Sequence, residues 1–258
     1  MSKEKLQKFI LGCDPTCIQP KVIIAPCWTP ESVGIENSEL ISNSACQIWE
    51  CVLEQETITY IVCGVGASFC ADVVMALQGT SCKRILFLGS AGSLKSELDI
   101  GDIGIPNSII CGEGASRYLQ EELTTDLFGK EICTSSSLQT HLFAVANKCV
   151  EEVGVNCFEG VGVSVESIYS QYRHLAQFEQ SGCSYIDMES SAFLYAANKI
   201  GVERAVAYCI SDNVKNNEAL YEVSEARTNY RKQIRRKVMP QIIRAFLKGG
   251  NGVEYSNK

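Results

Sequence analysis

The chain has 258 residues, 46% of them apolar and 21% charged, an ordinary balance for a soluble α/β domain with a substantial core. Its formal charge of −7 gives no basic footprint for a nucleic-acid backbone, and no apolar run approaches the roughly 20 residues of a membrane span. Its 14 cysteines are many, but they include no C-x-x-C pair and there are only two histidines, so neither structural zinc nor a disulfide framework is indicated.

In chain order, 1–20 reads as an N-terminal arm whose apolar run, Phe9 to Gly12, is too short for a signal peptide, so the chain is read as cytoplasmic. A single domain is expected over 21–248 and a tail over 249–258. Lys21–Ala25 is a first strand, and Gln47–Leu53 with Thr57–Cys63 suits a hairpin about Glu54, Gln55 and Glu56. Gly64-Val65-Gly66-Ala67-Ser68 then leads into a helix through Ala71, Val74 and Leu77, and the strand Arg84–Leu88 ends in Gly89-Ser90-Ala91-Gly92-Ser93. Glycines at two strand ends let backbone N–H groups approach an oxyanion. A dinucleotide site is disfavoured, because the first glycine run lacks a third glycine and no acid follows about 20 residues on.

Leu98–Ser108 reads as a turn into a strand, and Cys111–Leu119 (CGEGASRYL) as a polar active-site loop. A helix at Ser137–Val153, a strand at Asn156–Val163 and a short helix at Tyr172–Gln180 follow. The stretch Tyr185–Asp212 organises the rest. A short strand meets an acidic corner, Asp187-Met188-Glu189, and a helix carried by Ala192, Phe193, Ala196, Ala197 and Ile200 leads to a buried strand, Ala205–Ile210, that delivers Ser211 and Asp212. Each acid has an ordinary reading as a helix cap or dipole partner and a functional one at the carboxyl ends of strands, where ligands sit in open α/β sheets. Leu220–Leu247 is mostly helical until Pro240 and the glycines near the end, and its basic cluster, Arg231, Lys232, Arg235, Arg236 and Lys237, is read as a solvated face.

The ordered motifs GVGAS, KRILFLGSAGSL, LDIGDIGIPNS, GEGAS, SVESIYS, IDMESSA and CISDN resemble the nucleoside phosphorylase and nucleosidase superfamily over about Lys21 to Ile234. The resemblance implies a phosphorylase/hydrolase-like α/β fold with a central mixed sheet flanked by helices. It also implies cleavage of the bond between a nucleobase and its ribose, no metal or organic cofactor, and a homodimer or trimer of dimers. A small-molecule nucleoside is the expected partner, with phosphate or water as co-substrate and no nucleic acid or membrane.

Carried onto this chain, the resemblance gives Glu189 the ribose hydroxyls, Met188 the sugar face, and Ile186 and Asp187 the strand exit. Ile168 or Tyr169 falls where the family packs an aromatic on the base. Asp212, beside Ser211, matches the acid that protonates N7 of a leaving purine, so purine-type nucleosides are favoured over pyrimidine ones, and Arg227 corresponds to an arginine that swings toward that acid. Gly66, Ser90, Ala91 and Gly92 surround the nucleophile.

The phosphate arginines of the family are absent: Phe87 stands at one position, and the loop after the first strand, Ala25 to Glu31, carries no cation. Losing two charge-assisted partners weakens phosphate binding by about two orders of magnitude or more. Water is therefore slightly favoured over phosphate, with Glu31 or Glu113 as the base that activates it. Phosphorolysis of a purine nucleoside or uridine, with phosphate held by Gly66, Ser90 and a neighbouring subunit, is the alternative; a non-catalytic nucleoside-binding protein is the second.

Overall fold

The computed structural model describes residues 2–249; Met1 and the part of the expected tail from 250 onward lie outside the described residues. Among the described residues the elements run α1 (Lys3–Leu11), β1 (Lys21–Ala25), β2 (Ser38–Asn43), β3 (Gln47–Leu53), β4 (Glu56–Val62), α2 (Ala67–Ala76), β5 (Arg84–Ser93), β6 (Ile103–Gly112) and β7 (Glu131–Cys133). Next come α3 (Ser136–Glu151), β8 (Cys157–Val165), α4 (Ile168–Gln171), α5 (Leu175–Gln180), β9 (Cys183–Asp187), α6 (Ser190–Lys199), β10 (Glu203–Asn213) and α7 (Glu225–Lys248).

The strands form one mixed sheet, in the order β10-β6-β8-β9-β5-β1-β4-β3-β2 with β7 on β6, and β10 also pairs with β5. That extra pairing closes β5, β9, β8, β6 and β10 into a ring, from which β1, β4, β3 and β2 extend as an open wing. β1–β4, β1–β5, β5–β10, β6–β8 and β8–β9 are parallel, the other pairs antiparallel. This is the single-domain α/β architecture with a central mixed sheet and flanking helices that the sequence implies.

Both faces of the central strands are covered, which explains their near-continuous apolar runs. Alternate residues feed two cores: Val22, Ile24, Phe87 and Tyr208 pack with Phe193 and Val74 of α6 and α2, and Ile23, Leu86, Leu88 and Ala207 pack with Val238, Ile242 and Phe246 of α7. The period of two in β5 therefore sends Phe87 and Ala91 to one side and Ser90 and Gly92 to the other.

The structure differs from the sequence reading at several junctions. Gly89–Ser93 is not a turn but the second half of β5, because β10 runs equally long beside it and supplies hydrogen-bonding partners as far as Ser93. The β3–β4 turn is only two residues, Glu54 and Gln55, both at positive φ (50° and 69°), with Glu56 already paired to Leu53. Such a turn matches the twist of a hairpin but strains side-chain-bearing residues; here Glu54 also binds Arg244 and Lys248 of α7, each at 3.0 Å. α7 begins at Glu225, five residues later than the helical stretch expected from Leu220, and passes through Pro240 without breaking. Gly34 (φ +79°) makes room for it: a Cβ at that position would lie 2.7 Å from both Pro240 Cγ and the Arg236 carbonyl oxygen.

Phe87, fully buried, sits 5.3 Å from Phe193 and 6.4 Å from Tyr208 between ring centroids. Its side chain points into the α2/α6 core, so a charge placed there would be buried without a partner. Phe87→Arg is therefore expected to lower stability by about 4 kcal/mol or more, read from the midpoint of urea unfolding. A variant as stable as the parent would mean that this position can turn its side chain out of the core.

Candidate active site

A cavity of about 230 Å³ opens at the carboxyl ends of β1, β5, β9 and β10, beside the β4–α2 turn. Strand β5 runs between β9 and β10, and Gly92 pairs with Ile186 on one side and Asp212 on the other. The two acidic corners thus flank the same short segment of β5, whose Ser90 and Gly92 face the cavity. Gly92 is needed for close approach: a Cβ there would meet Asp212 Oδ2 at 2.9 Å and Ile186 Cγ2 at 3.0 Å.

At the end of β9 the acids divide their duties. Asp187 caps α6, accepting from the backbone N–H of Ser190 at 2.9 Å and of Glu189 at 3.3 Å, from the Ser190 hydroxyl, and from the Ser164 hydroxyl at 2.5 Å. Asp187 thus satisfies N–H groups at the start of α6, although the N-cap position itself is held by Glu189 and not, as the sequence suggested, by Asp187. Glu189 does something else: its Oε1 accepts from Gly66 N–H at 2.6 Å, across 123 residues of chain. Gly66 is the N-cap of α2, so this carboxyl group sits where the dipole of α2 favours negative charge. The φ of +116° at Gly66 is one that only glycine adopts without strain.

Glu189 is 5% exposed, and burial, followed by the charge of Asp187, pushes its carboxyl up to about 8, the Gly66 N–H pulling partly back. Burial also raises Asp187. Of this pair, Asp187 is the one held as carboxylate, since several donors converge on it while Glu189 has chiefly one.

Asp212 is positioned by a bulge. Ser211 is an extra residue in β10, where the pairing with β5 jumps from Ile210–Ala91 to Asp212–Gly92. A bulge re-aims the side chain that follows it. The Ser211 hydroxyl lies 2.5 Å from Asp212 Oδ1 and 3.2 Å from the Ala91 carbonyl oxygen. Burial raises the Asp212 carboxyl above the ordinary carboxylate range, while Ser211 and the charge of Arg231 draw it down.

Of the residues singled out from sequence, Ser90, Gly92, Ile168, Ile186, Asp187, Met188, Glu189, Ser211 and Asp212 line this cavity. Gly66 opens onto an adjoining hollow that shares Val65 and Met188. Ala91 is turned into the α2/α6 core. Tyr169 is 87% exposed and points away; α4 presents Ile168 and Gln171, three residues apart, instead.

Glu31 is not in the cavity. The loop after β1 coils into a 3₁₀ turn at Glu31–Val33, leaving Glu31 exposed beside Trp49 and Arg236 at a separate hollow. Glu113 is also elsewhere, 4% exposed and engaged by Ser116 N–H (3.0 Å) and by the hydroxyls of Ser116 and Ser191. The segment around it, expected as an active-site loop, packs under α6 and contributes nothing to the cavity lining. Arg227 is held by Glu218 (2.7 Å) and Asp99, outside the cavity.

Sequence reasoning missed Arg231, which lines the cavity one turn beyond Arg227. The cluster it belongs to is not a uniformly solvated face. Arg235 is 8% exposed, its guanidinium carbon 4.7 Å from the centroid of the Trp28 ring and its Nε 2.9 Å from the Ser32 carbonyl oxygen, whereas Lys232, Arg236 and Lys237 are exposed. The signal was present: 231, 235, 238 and 242 fall at helical spacing, and Val238 and Ile242 are core.

The site can therefore accept hydroxyl donors at Glu189, hold a proton at Asp212 and offer an anion the Ser90 hydroxyl and a guanidinium. Among the described residues, no group of three or more His, Cys, Asp or Glu is placed to hold a metal ion, and no helix is long and apolar enough to cross a membrane. Comparison with known proteins adds the family: the phosphorylase superfamily matches residues 34–248. The chain belongs to the phosphorylase superfamily. Solved structures similar to this superfamily member include purine nucleoside phosphorylase from Toxoplasma gondii in complex with immucillin-H (19% identity, TM-score 0.74, 89% of this chain and 92% of that one). Another is uridine phosphorylase from Vibrio fischeri ES114 (20% identity, TM-score 0.73, 92% and 97%). At these identities the likeness establishes the fold.

The buried state of Glu189 has a consequence for the stability of this superfamily member. Folded, the carboxyl keeps its proton to about pH 8; unfolded, it loses it near its ordinary 4.5. The fold then binds the extra proton, so the stability from protonated Glu189 is fully present below about pH 4.5 and is lost as pH rises toward 8, at up to about 1.4 kcal/mol per pH unit. Glu189→Gln, which cannot ionise, is expected to decline less in thermal melting temperature between pH 5 and pH 8.5 than the parent. Parallel declines would show that Glu189 ionises normally in the fold.

Proposed function

We propose that this chain cleaves the N-glycosidic bond of a purine-type nucleoside by phosphorolysis. The observation that carries the reading is the pairing of two buried acids of different environment on either side of β5, around one cavity with an uncommitted serine hydroxyl and a guanidinium. Pairs of titratable groups set apart in this way suit separate tasks in one reaction.

Glu189 accepts hydrogen bonds from the ribose hydroxyls, and its negative charge in the occupied site favours the positive charge that develops on the sugar as the bond to the base breaks. Substrate hydroxyls add donors to the carboxylate form, which draws its proton affinity down on binding. Asp212 gives its proton to N7 of the base, so that the base leaves neutral. The carboxylate left behind is stabilised by the Ser211 hydroxyl. A phosphate oxygen forms the new bond to C1′ as the bond from C1′ to N9 of the purine breaks, giving the free base and ribose 1-phosphate.

Phosphate is preferred to water here, reversing the slight preference drawn from sequence. Neither glutamate proposed to activate water reaches the cavity, whereas Arg231 supplies a cation there. The loss of an arginine at Phe87 remains the observation on the side of hydrolysis.

Base release from inosine, adenosine and methylthioadenosine, each with and without phosphate, tests the reading. Release that depends on phosphate is expected, and Asp212→Asn should lower kcat by about two orders of magnitude or more, the range of general acid catalysis. Equal release without phosphate would assign water as the acceptor. Unchanged turnover in Asp212→Asn would remove the acid from its role.

A further inference from the structure

Three arginines follow one another at one-turn intervals on α7, and two are committed. Arg227 pairs with Glu218 and Asp99, and Arg235 donates to the Ser32 carbonyl oxygen and covers Trp28. Arg231, between them, makes no ion pair among the described residues, and its buried Nε has no acceptor. Its side chain lines the cavity together with Ser90, whose hydroxyl also lacks a protein partner among the described residues, and with Cys27 of the loop after β1. The charges of Arg231 and Arg235 both act on the Cys27 thiol, so both guanidinium groups lie near that loop. A buried guanidinium N–H without an acceptor is costly, and a planar fork of this kind is suited to two oxygens of one anion.

We infer that Arg231 is the anion-binding residue of this cavity, a cation carried on α7 in place of those absent from position 87 and from the β1 loop, and that the anion it takes is inorganic phosphate. The inference rests on the phosphorolytic reading and commits the guanidinium of the cavity to its anion. Arg231 donates two N–H groups to phosphate oxygens and Ser90 donates its hydroxyl to a third. Arg231 also holds Asp212 toward its carboxylate form. A bound phosphate offsets that charge, so Asp212 keeps its proton best when the nucleophile is in place.

The test is calorimetric titration of the full-length chain with inorganic phosphate at fixed ionic strength, comparing the parent with Arg231→Gln, Arg231→Lys and the exposed neighbour Lys232→Gln. Binding by the parent is expected, weakened about tenfold or more in Arg231→Gln, less in Arg231→Lys and not in Lys232→Gln. Equal affinity in Arg231→Gln overturns the assignment, as does a parent that binds no phosphate. Should Arg231→Gln fail to fold, Arg231→Lys retains the charge with a different donor geometry; affinity and heat of binding both identical to the parent's would then count against a bidentate contact. Ribose 5-phosphate is titrated alongside. If it binds through Arg231 and inorganic phosphate does not, the site is one for phosphate esters and the proposal is wrong. Arg231-dependent phosphate binding without base release from any nucleoside keeps the anion site and removes the nucleoside reading. Base release by a chain that binds no phosphate does the reverse.

Discussion

The hydrogen bond from Gly66 N–H to Glu189, 2.6 Å long, ties together parts of the chain that are far apart in sequence. It joins the β4–α2 turn of the open wing to the β9–α6 corner of the closed ring, the two bodies between which the cavity opens. It also fixes a carboxyl group that burial and Asp187 would otherwise leave poorly stabilised. A buried acid with one good donor is a compromise: tight enough to hold its rotamer, yet short of the several donors that would satisfy it as Asp187 is satisfied. The unmet acceptor capacity is what a sugar bearing vicinal hydroxyls can fill.

The other side of the cavity uses a different device for the same end. β5 and β10 run parallel well past the point where the sequence suggests turns, and one extra residue, Ser211, turns Asp212 against Gly92. Asp212 thus rests on a strand of the sheet and Glu189 on the short corner between β9 and α6, and each depends on a glycine, Gly66 for its dihedral angles and Gly92 for its missing Cβ. Rigid support of this kind holds reacting groups within the tolerances that catalysis requires.

Much of this could be read from the chain. The continuous apolar runs at Arg84–Leu88 and Ala205–Ile210 announced strands covered on both faces, and the order of the glycine and acidic motifs announced the family. What escaped did so for physical reasons. β2 is an edge strand, SELISN, with most of its side chains exposed, so it lacks the alternation that marks a half-buried strand. Gly89–Ser93 has the composition of a turn and is extended only because β10 pairs with it. Glu31 lies at the right distance along the chain, but a 3₁₀ turn carries it away from the cavity. Arg231 was hidden in a run of charges whose average suggested solvent; its neighbours' periodicity, not its own chemistry, marks it as inward.

On the reading proposed above, Glu189 recognises the sugar while Asp212 serves the base. The most direct measurement compares kcat/KM for inosine with that for 2′,3′-dideoxyinosine, in the parent and in Glu189→Ala, with saturating phosphate. The parent is expected to prefer inosine strongly, and most of this preference is expected to disappear in the variant. A preference of equal size in both proteins would contradict it.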